Sequence, residues 1–213
     1  MLSSCDAVLS GYLGSADIGH AVVQTVQRVR QANPAAVYCC DPVIGDVGRG
    51  VFVRPGIPEF MREVAVPAAD LVTPNHFELD FLAGTATKTL DEVRDAVAAV
   101  QALGPRVVLT TSLVTDDTPG DAVDLLASEA GRHFRVRTPR LDLSVNGAGD
   151  AIAALFLAHW LSSRDAGAAL GAAAASVHGL LEATERARSR EILLVAAQDE
   201  FVTPSHSFPV EEV

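Results

Sequence analysis

The chain has 213 residues, 49% of them hydrophobic and 20% charged, and a formal net charge of -11 at pH 7. That length allows one well-buried domain or two small ones. The acidic balance argues against a general nucleic-acid partner, because a phosphate backbone demands a basic surface, whereas a small phosphorylated ligand needs only a local site. Of the three cysteines, Cys39 and Cys40 are adjacent inside an apolar run. This pattern reads as reduced thiols in a cytoplasmic core, not as a disulfide framework or a zinc site. No basic start followed by an apolar stretch is visible, so no secretory signal is expected. The longest uncharged apolar stretch, Ala151 to Ser163, is too short to span a bilayer, and no membrane partner is expected.

In chain order, Ala7-Val8-Leu9 reads as a buried strand ending at Ser10-Gly11. Ala16 to Gln31 repeats apolar residues at helical spacing, with Ser15 or Asp17 near its start. Val37 to Cys40 and Leu71-Val72 read as further strands, ending at Asp41-Pro42 and Thr73-Pro74. Thr89 to Leu103 opens on a capping-box pattern, Thr89 with Glu92, and closes at Gly104-Pro105. Arg106 to Leu109 is expected as a strand ending at Thr110-Thr111-Ser112, and Ala122 to Ala127 with His133 to Val136 as a hairpin or edge pair. Two Ala-rich helices are expected near 148–162 and 165–181, and a last helix from about Ser189. Strand–helix alternation with apolar strands predicts an α/β fold with a mostly parallel sheet covered on both faces.

In such sheets ligands bind beyond the carboxyl ends of the strands. Polar, Gly and Pro residues gather there: Ser10-Gly11-Tyr12, Asp41 to Asp46, Thr73-Pro74-Asn75 and Thr110 to Ser112. Asn146-Gly147-Ala148-Gly149-Asp150 is the most informative motif. Two glycines ahead of a helix can aim backbone N–H groups into one space and add the helix dipole, which suits a phosphoryl group in transfer. Asp150 would then accept a proton from a substrate hydroxyl. The alternative is a Gly-containing loop whose first-turn Asp only offsets the dipole. Asn75 and Glu78 are likewise either an N-cap folded on itself or part of a Mg²⁺ site with Asp41 and Asp46. His76, His133, His159 and His178 show no metal spacing and read as core or surface residues.

Taken together, Ser10 to Ser15, Cys40 to Asp46, Gly50 to Pro55, Thr73 to Glu78 and Gly147 to Asp150 resemble pyridoxal kinases, in that family's order and spacing, from near residue 5 to the C-terminus. The Gly-Ala-Gly-Asp motif marks the wider ribokinase-like superfamily, whereas the Cys-Asp-Pro-Val-x-Gly-Asp and Thr-Pro-Asn-x-x-Glu pair is far more specific. The resemblance implies one ribokinase-like kinase domain over residues 1–213, transferring phosphate from ATP to the pyridoxal 5′-hydroxyl. It implies Asp150 as the base, and the N–H groups of Gly147, Ala148 and Gly149 as the anion hole. Asp41, Thr73, Asn75, Glu78, Thr110, Thr111 and the segment Thr138, Pro139, Arg140 and Leu141 would lie along the nucleotide. Gly11 and Tyr12 would meet the pyridine ring, and Asp41, Asp46 and Glu78 would surround Mg²⁺. The family also implies a homodimer, with K⁺ as a further candidate cation.

Two departures accompany the resemblance. Relatives carry about another quarter of chain ahead of the Ser-Gly-Tyr strand, so the domain is expected to be N-terminally truncated, with part of the ring-binding region missing. Some relatives also carry Lys where this chain has Thr111. Two other functions fit the motifs: a hydroxymethylpyrimidine or hydroxymethylpyrimidine-phosphate kinase of the same superfamily, and a catalytically silent remnant that binds nucleotide or pyridoxal phosphate. The Ile44-Gly45-Asp46 continuation points to the pyridoxal branch.

Overall fold

The computed structural model describes residues 2–143 and 145–213. The chain divides into two compact units between Thr110 and Thr111.

The first unit alternates strands and helices. After a 3-10 turn at Leu2–Ser4 come β1 (Ala7–Ser10) and α1 (Ala16–Ala32). Ser15 caps α1, its side chain accepting from the Ile18 N–H at 3.3 Å, while Asp17 sits in the first turn. Gly19, Val23, Val26 and Val29 make the buried stripe of α1, the helical spacing seen in the sequence. All four residues of β2 (Val37–Cys40) are buried, as expected of a strand covered on both faces.

Two features of this unit have no periodic signal long enough to show in the sequence. One is a ribbon of two-residue strands, β3 (Gly45–Asp46) and β4 (Gly50–Val51), paired antiparallel. The other is a helical stretch made of α2 (Ile57–Phe60), a π turn (Met61–Ala65) and α3 (Val66–Ala68). Pro58 lies in the first turn of α2, where no N–H is needed, and Pro67 falls within the helical run directly after the π turn.

The unit continues with β5 (Leu71–Val72), α4 (His76–Ala83), α5 (Leu90–Gln101) and the first residues of β6 (Val107–Leu113), a strand that runs on past Thr110. Strands run parallel in the order β1-β2-β5-β6. Ser10 pairs with Cys40 and Cys40 with Val72, so the residues that follow them, Gly11, Asp41 and Thr73, leave the sheet in one row. The fourth expected strand end is corrected. Thr110, Thr111 and Ser112 lie inside β6, because β-branched threonines extend a strand well and Thr110 is fully buried.

In the second unit β7 (Ala122–Glu129) and β8 (Arg132–Pro139) form a hairpin, longer at both ends than its apolar pattern suggested. Ala130 and Gly131 both have positive φ, 52° and 76°, the two-residue turn whose twist matches its strands. The charged positions that hid the strand ends are paired across it: Arg137 holds buried Asp124 through two bonds of 2.7 Å. The Ala-rich helices α6 (Ala148–Ser163) and α7 (Ala166–Arg186) pack on each other, and α7 also packs on β7 and β8. Asp165 caps α7 by accepting from the Ala168 N–H at 2.7 Å.

The helix expected from Ser189 does not form. Arg188 takes a left-handed φ of 49°, and the Ser189 hydroxyl turns onto the Glu191 carbonyl, a local bond that competes with helix. Only a 3-10 turn at Gln198–Phe201 follows, and then β9 (Glu211–Glu212) against β8. No helix among the described residues is long and apolar enough to cross a membrane.

Thr89 and Glu92 make the reciprocal capping box read from the sequence, at an exposed helix start. Thr89→Ala should therefore cost about 1 kcal/mol. In a chain of this size that is roughly 2–4 °C of melting temperature in a thermal scan.

Candidate active site

In the first unit the row of strand ends is tied together by the residues that follow it. The Asp41 N–H donates to the Ser10 carbonyl at 2.8 Å, and the Thr73 N–H to the Cys40 carbonyl at 3.2 Å. The Asp41 carboxylate is buried and accepts from the Thr73 hydroxyl at 2.9 Å. Asn75 caps α4, its Oδ1 accepting from the Glu78 N–H at 2.9 Å while Glu78 Oε2 accepts from the Asn75 N–H at 2.9 Å. Of the two readings of this pair, the structure therefore contains the capping box.

Glu78 does more than cap. Its other oxygen, Oε1, accepts from the N–H groups of Ile44 at 2.9 Å and Gly45 at 3.3 Å, and Asn75 Nδ2 donates back to the Gly45 carbonyl at 2.8 Å. Ile44 and Gly45 were thus missed as members of the site. Backbone donors leave no residue-type signal, although the turn after Asp41-Pro42 marks where they lie. Gly45 is there because a Cβ would stand 2.3 Å from the Gly50 carbonyl oxygen of the facing strand. Glu78 is 3% exposed, and burial pushes its carboxyl up to about 7. Nearby Asp41 raises it further, while the three N–H groups pull the other way.

Asp46 is turned to Arg49, whose Nε donates to Oδ2 at 2.7 Å, and this pairing holds its carboxyl below the usual range. Among the described residues no three Asp, Glu, His or Cys side chains form a group that could hold a metal ion. Asp41, Asp46 and Glu78 do not fit direct coordination as a set, because one is matched to Arg49 and another already accepts three N–H bonds. His76 is buried with its Nε2 2.8 Å from the Thr87 hydroxyl, a packing role. Tyr12 is 63% exposed beside half-buried Gly11. Thr110 is fully buried, and its hydroxyl has no hydrogen-bond partner in the structure. Thr111 follows it, half-buried, in β6.

In the second unit Thr138 is buried at the end of β8 and Pro139 is exposed. Arg140 is also exposed, its N–H held by the Asp121 carbonyl at 2.8 Å, and half-buried Leu141 follows. Gly147, at φ 96° and ψ -6°, turns the chain into α6. Among the described residues no side chain caps this helix, whose first N–H groups are the ones a helix cannot satisfy from within. A Cβ on Gly149 would meet nothing within 4 Å, so the fold itself leaves that space free. Asp150 lies in the first turn of α6 and is exposed. An open helix N-terminus with a carboxylate beside it can hold an anion and take a proton from a neighbouring hydroxyl.

The family model described as phosphomethylpyrimidine kinase matches residues 3–192. The pyridoxal kinase PdxY of Granulibacter bethesdensis is 55% identical over 212 residues, covering 98% of this chain and 74% of that protein. The pyridoxal kinase PdxY of Rubrobacter xylanophilus is 53% identical over 214 residues, covering 100% and 74%. Among solved structures, the Leishmania donovani pyridoxal kinase in complex with ADP and pyridoxamine aligns with a TM-score of 0.88 at 30% identity. That alignment covers 100% of this chain and 76% of that one.

Glu78 yields a pH prediction. Its folded value of about 7 lies above the ordinary 4.5, so the folded form binds the proton more tightly. The corresponding stability is fully present below the unfolded value and is lost as pH rises through the folded one. Melting temperatures of the parent and Glu78→Gln across that window should diverge most at low pH, with the parent's pH slope flattened in the variant. The variant should also be less stable by about 1–3 kcal/mol, because an amide cannot accept all three bonds. An unchanged pH slope would contradict the assignment.

Proposed function

The chain belongs to the pyridoxal kinase family, and from that premise we propose that it transfers the γ-phosphoryl group of ATP to the 5′-hydroxyl of pyridoxal, giving pyridoxal 5′-phosphate and ADP. The observation that carries the reading is the uncapped start of α6, opened by left-handed Gly147, left free of side chains at Gly149 and flanked by Asp150. In this reading Asp150 takes the proton from the 5′-hydroxyl as that oxygen bonds to the γ-phosphorus. The bond from the γ-phosphorus to the bridging oxygen breaks and ADP leaves with the electron pair. The N–H groups of Gly147, Ala148 and Gly149 meet the charge on the transferred group, the term that dominates phosphoryl transfer.

The remaining roles follow from chemistry and position. Asp41, Thr73, Asn75, Glu78, Thr110 and Thr111 supply polar groups for the nucleotide from the strand ends and β6, and Thr138, Pro139, Arg140 and Leu141 border its adenosine. Tyr12 presents an exposed ring for the pyridine to lie against, next to Gly11. Asp41, Asp46 and Glu78, already engaged with the protein, would meet Mg²⁺ only through its own waters, where it would offset the charge of the ATP phosphates. K⁺, a cytoplasmic location, a homodimer and a single kinase domain made of both units belong to the same reading through the family. A hydroxymethylpyrimidine kinase is the second reading, favoured by the description of the matching family model.

Steady-state kinetics on the parent and Asp150→Asn test the reading. The parent should phosphorylate pyridoxal. The variant should lose roughly 10²–10⁴-fold in turnover, the worth of general-base assistance, with ATP affinity within about twofold of the parent. Turnover unchanged in the variant would refute the role of Asp150.

A further inference from the structure

Tyr38 and Cys40 project from the same face of β2, two residues apart, and Cys40 pairs with Ser10 on the neighbouring strand. Tyr38 is 1% exposed and Ser10 8%, and the phenol oxygen lies 2.8 Å from the Ser10 hydroxyl. Cys40, level with Ser10 across the strand pair, is fully buried beside them. Two hydroxyls therefore form a small polar pair beside a buried thiol, inside an otherwise apolar strand pair. Burial raises the phenol far above its ordinary value and pushes the thiol up to about 12, so both keep their protons and the network stays neutral. A buried polar network has to be satisfied internally, which ties each member to one arrangement.

That arrangement sits where β1 ends. The Ser10 side chain is held by Tyr38, and the Ser10 carbonyl by the Asp41 N–H at 2.8 Å. The next residue, Gly11, has no side chain with which to anchor itself, and the one after it, Tyr12, is exposed. Ser10 is thus the last fixed point before the turn.

We propose that Tyr38 is a positioning residue for the alcohol substrate: its phenol fixes Ser10, and through Ser10 the Gly11–Tyr12 turn against which the pyridine ring lies. The inference rests on the reading of Tyr12 given above. Tyr38 never touches substrate. It acts on the ring-binding side alone, because Asp41 is additionally held by Thr73 at 2.9 Å and does not depend on the phenol.

The test is a comparison of the parent, Tyr38→Phe, Ser10→Ala and the double variant, titrating pyridoxal and ATP separately and recording melting curves. Loss of one buried hydrogen bond predicts a rise of about five- to tenfold in KM for pyridoxal in each single variant, with KM for ATP within about twofold. The double variant should be no worse than either single one, because both remove the same bond. If Tyr38→Phe fails to fold, Ser10→Ala, which deletes one oxygen at the other end of that bond, carries the test unaided. An unchanged KM for pyridoxal, or equal increases for pyridoxal and ATP, would overturn the inference while leaving the function standing. A parent that does not phosphorylate pyridoxal would remove both.

Discussion

The buried carboxylate of Glu78 is the constraint on which the first unit's strand-end region depends. It accepts the N–H groups of Asn75, Ile44 and Gly45 at once. In one side chain it closes the start of α4, holds the turn that follows β2, and keeps the β3–β4 ribbon attached to a helix. An uncompensated carboxylate at 3% exposure would be expensive, and three aligned donors are what make its burial tolerable. Glu78 remains divided between these donors and the apolar surroundings, which is why its proton affinity lies near neutrality.

Around that clasp, the parallel register does the rest. Ser10, Cys40 and Val72 stand level in β1, β2 and β5, so Gly11, Asp41 and Thr73 emerge side by side. Backbone bonds from Asp41 to Ser10 and from Thr73 to Cys40 carry the row beyond the last residues of the strands. The second unit meets a different need. There a left-handed glycine opens α6, no side chain among the described residues caps it, and Asp150 lies in its first turn.

Much of this was legible in the sequence because it is written in residue types. Apolar runs at Val37–Cys40 and Leu71–Val72, the Ser15 and Thr89 caps, the Asn75–Glu78 pair and the glycines before Asp150 all use side chains whose local chemistry is short-range. The misses have physical causes. The β3–β4 ribbon is too short for any period, and its glycine is set by a facing carbonyl. The helical stretch 57–68 is punctuated by Pro58 in its first turn and by Pro67 after its π turn. The threonines after Leu109 looked like a strand end because they are polar, yet they extend β6. The helix expected from Ser189 was lost to a serine that bonds its own neighbourhood. For the strand-end cluster, the Asp41–Thr73 and Asn75–Glu78 side chains were visible as residue types, but the Ile44 and Gly45 N–H groups and the Tyr38–Ser10 bond were not. Backbone donors and buried hydroxyls declare themselves only in three dimensions.

The most direct measurement of the central claim is the identity of the phosphorylated product. The chain would be incubated with ATP and equimolar pyridoxal and hydroxymethylpyrimidine, and the products resolved by mass spectrometry. The account predicts pyridoxal 5′-phosphate formed one-for-one with ADP. Phosphate found only on hydroxymethylpyrimidine, or ADP released with no phosphorylated alcohol, would contradict it.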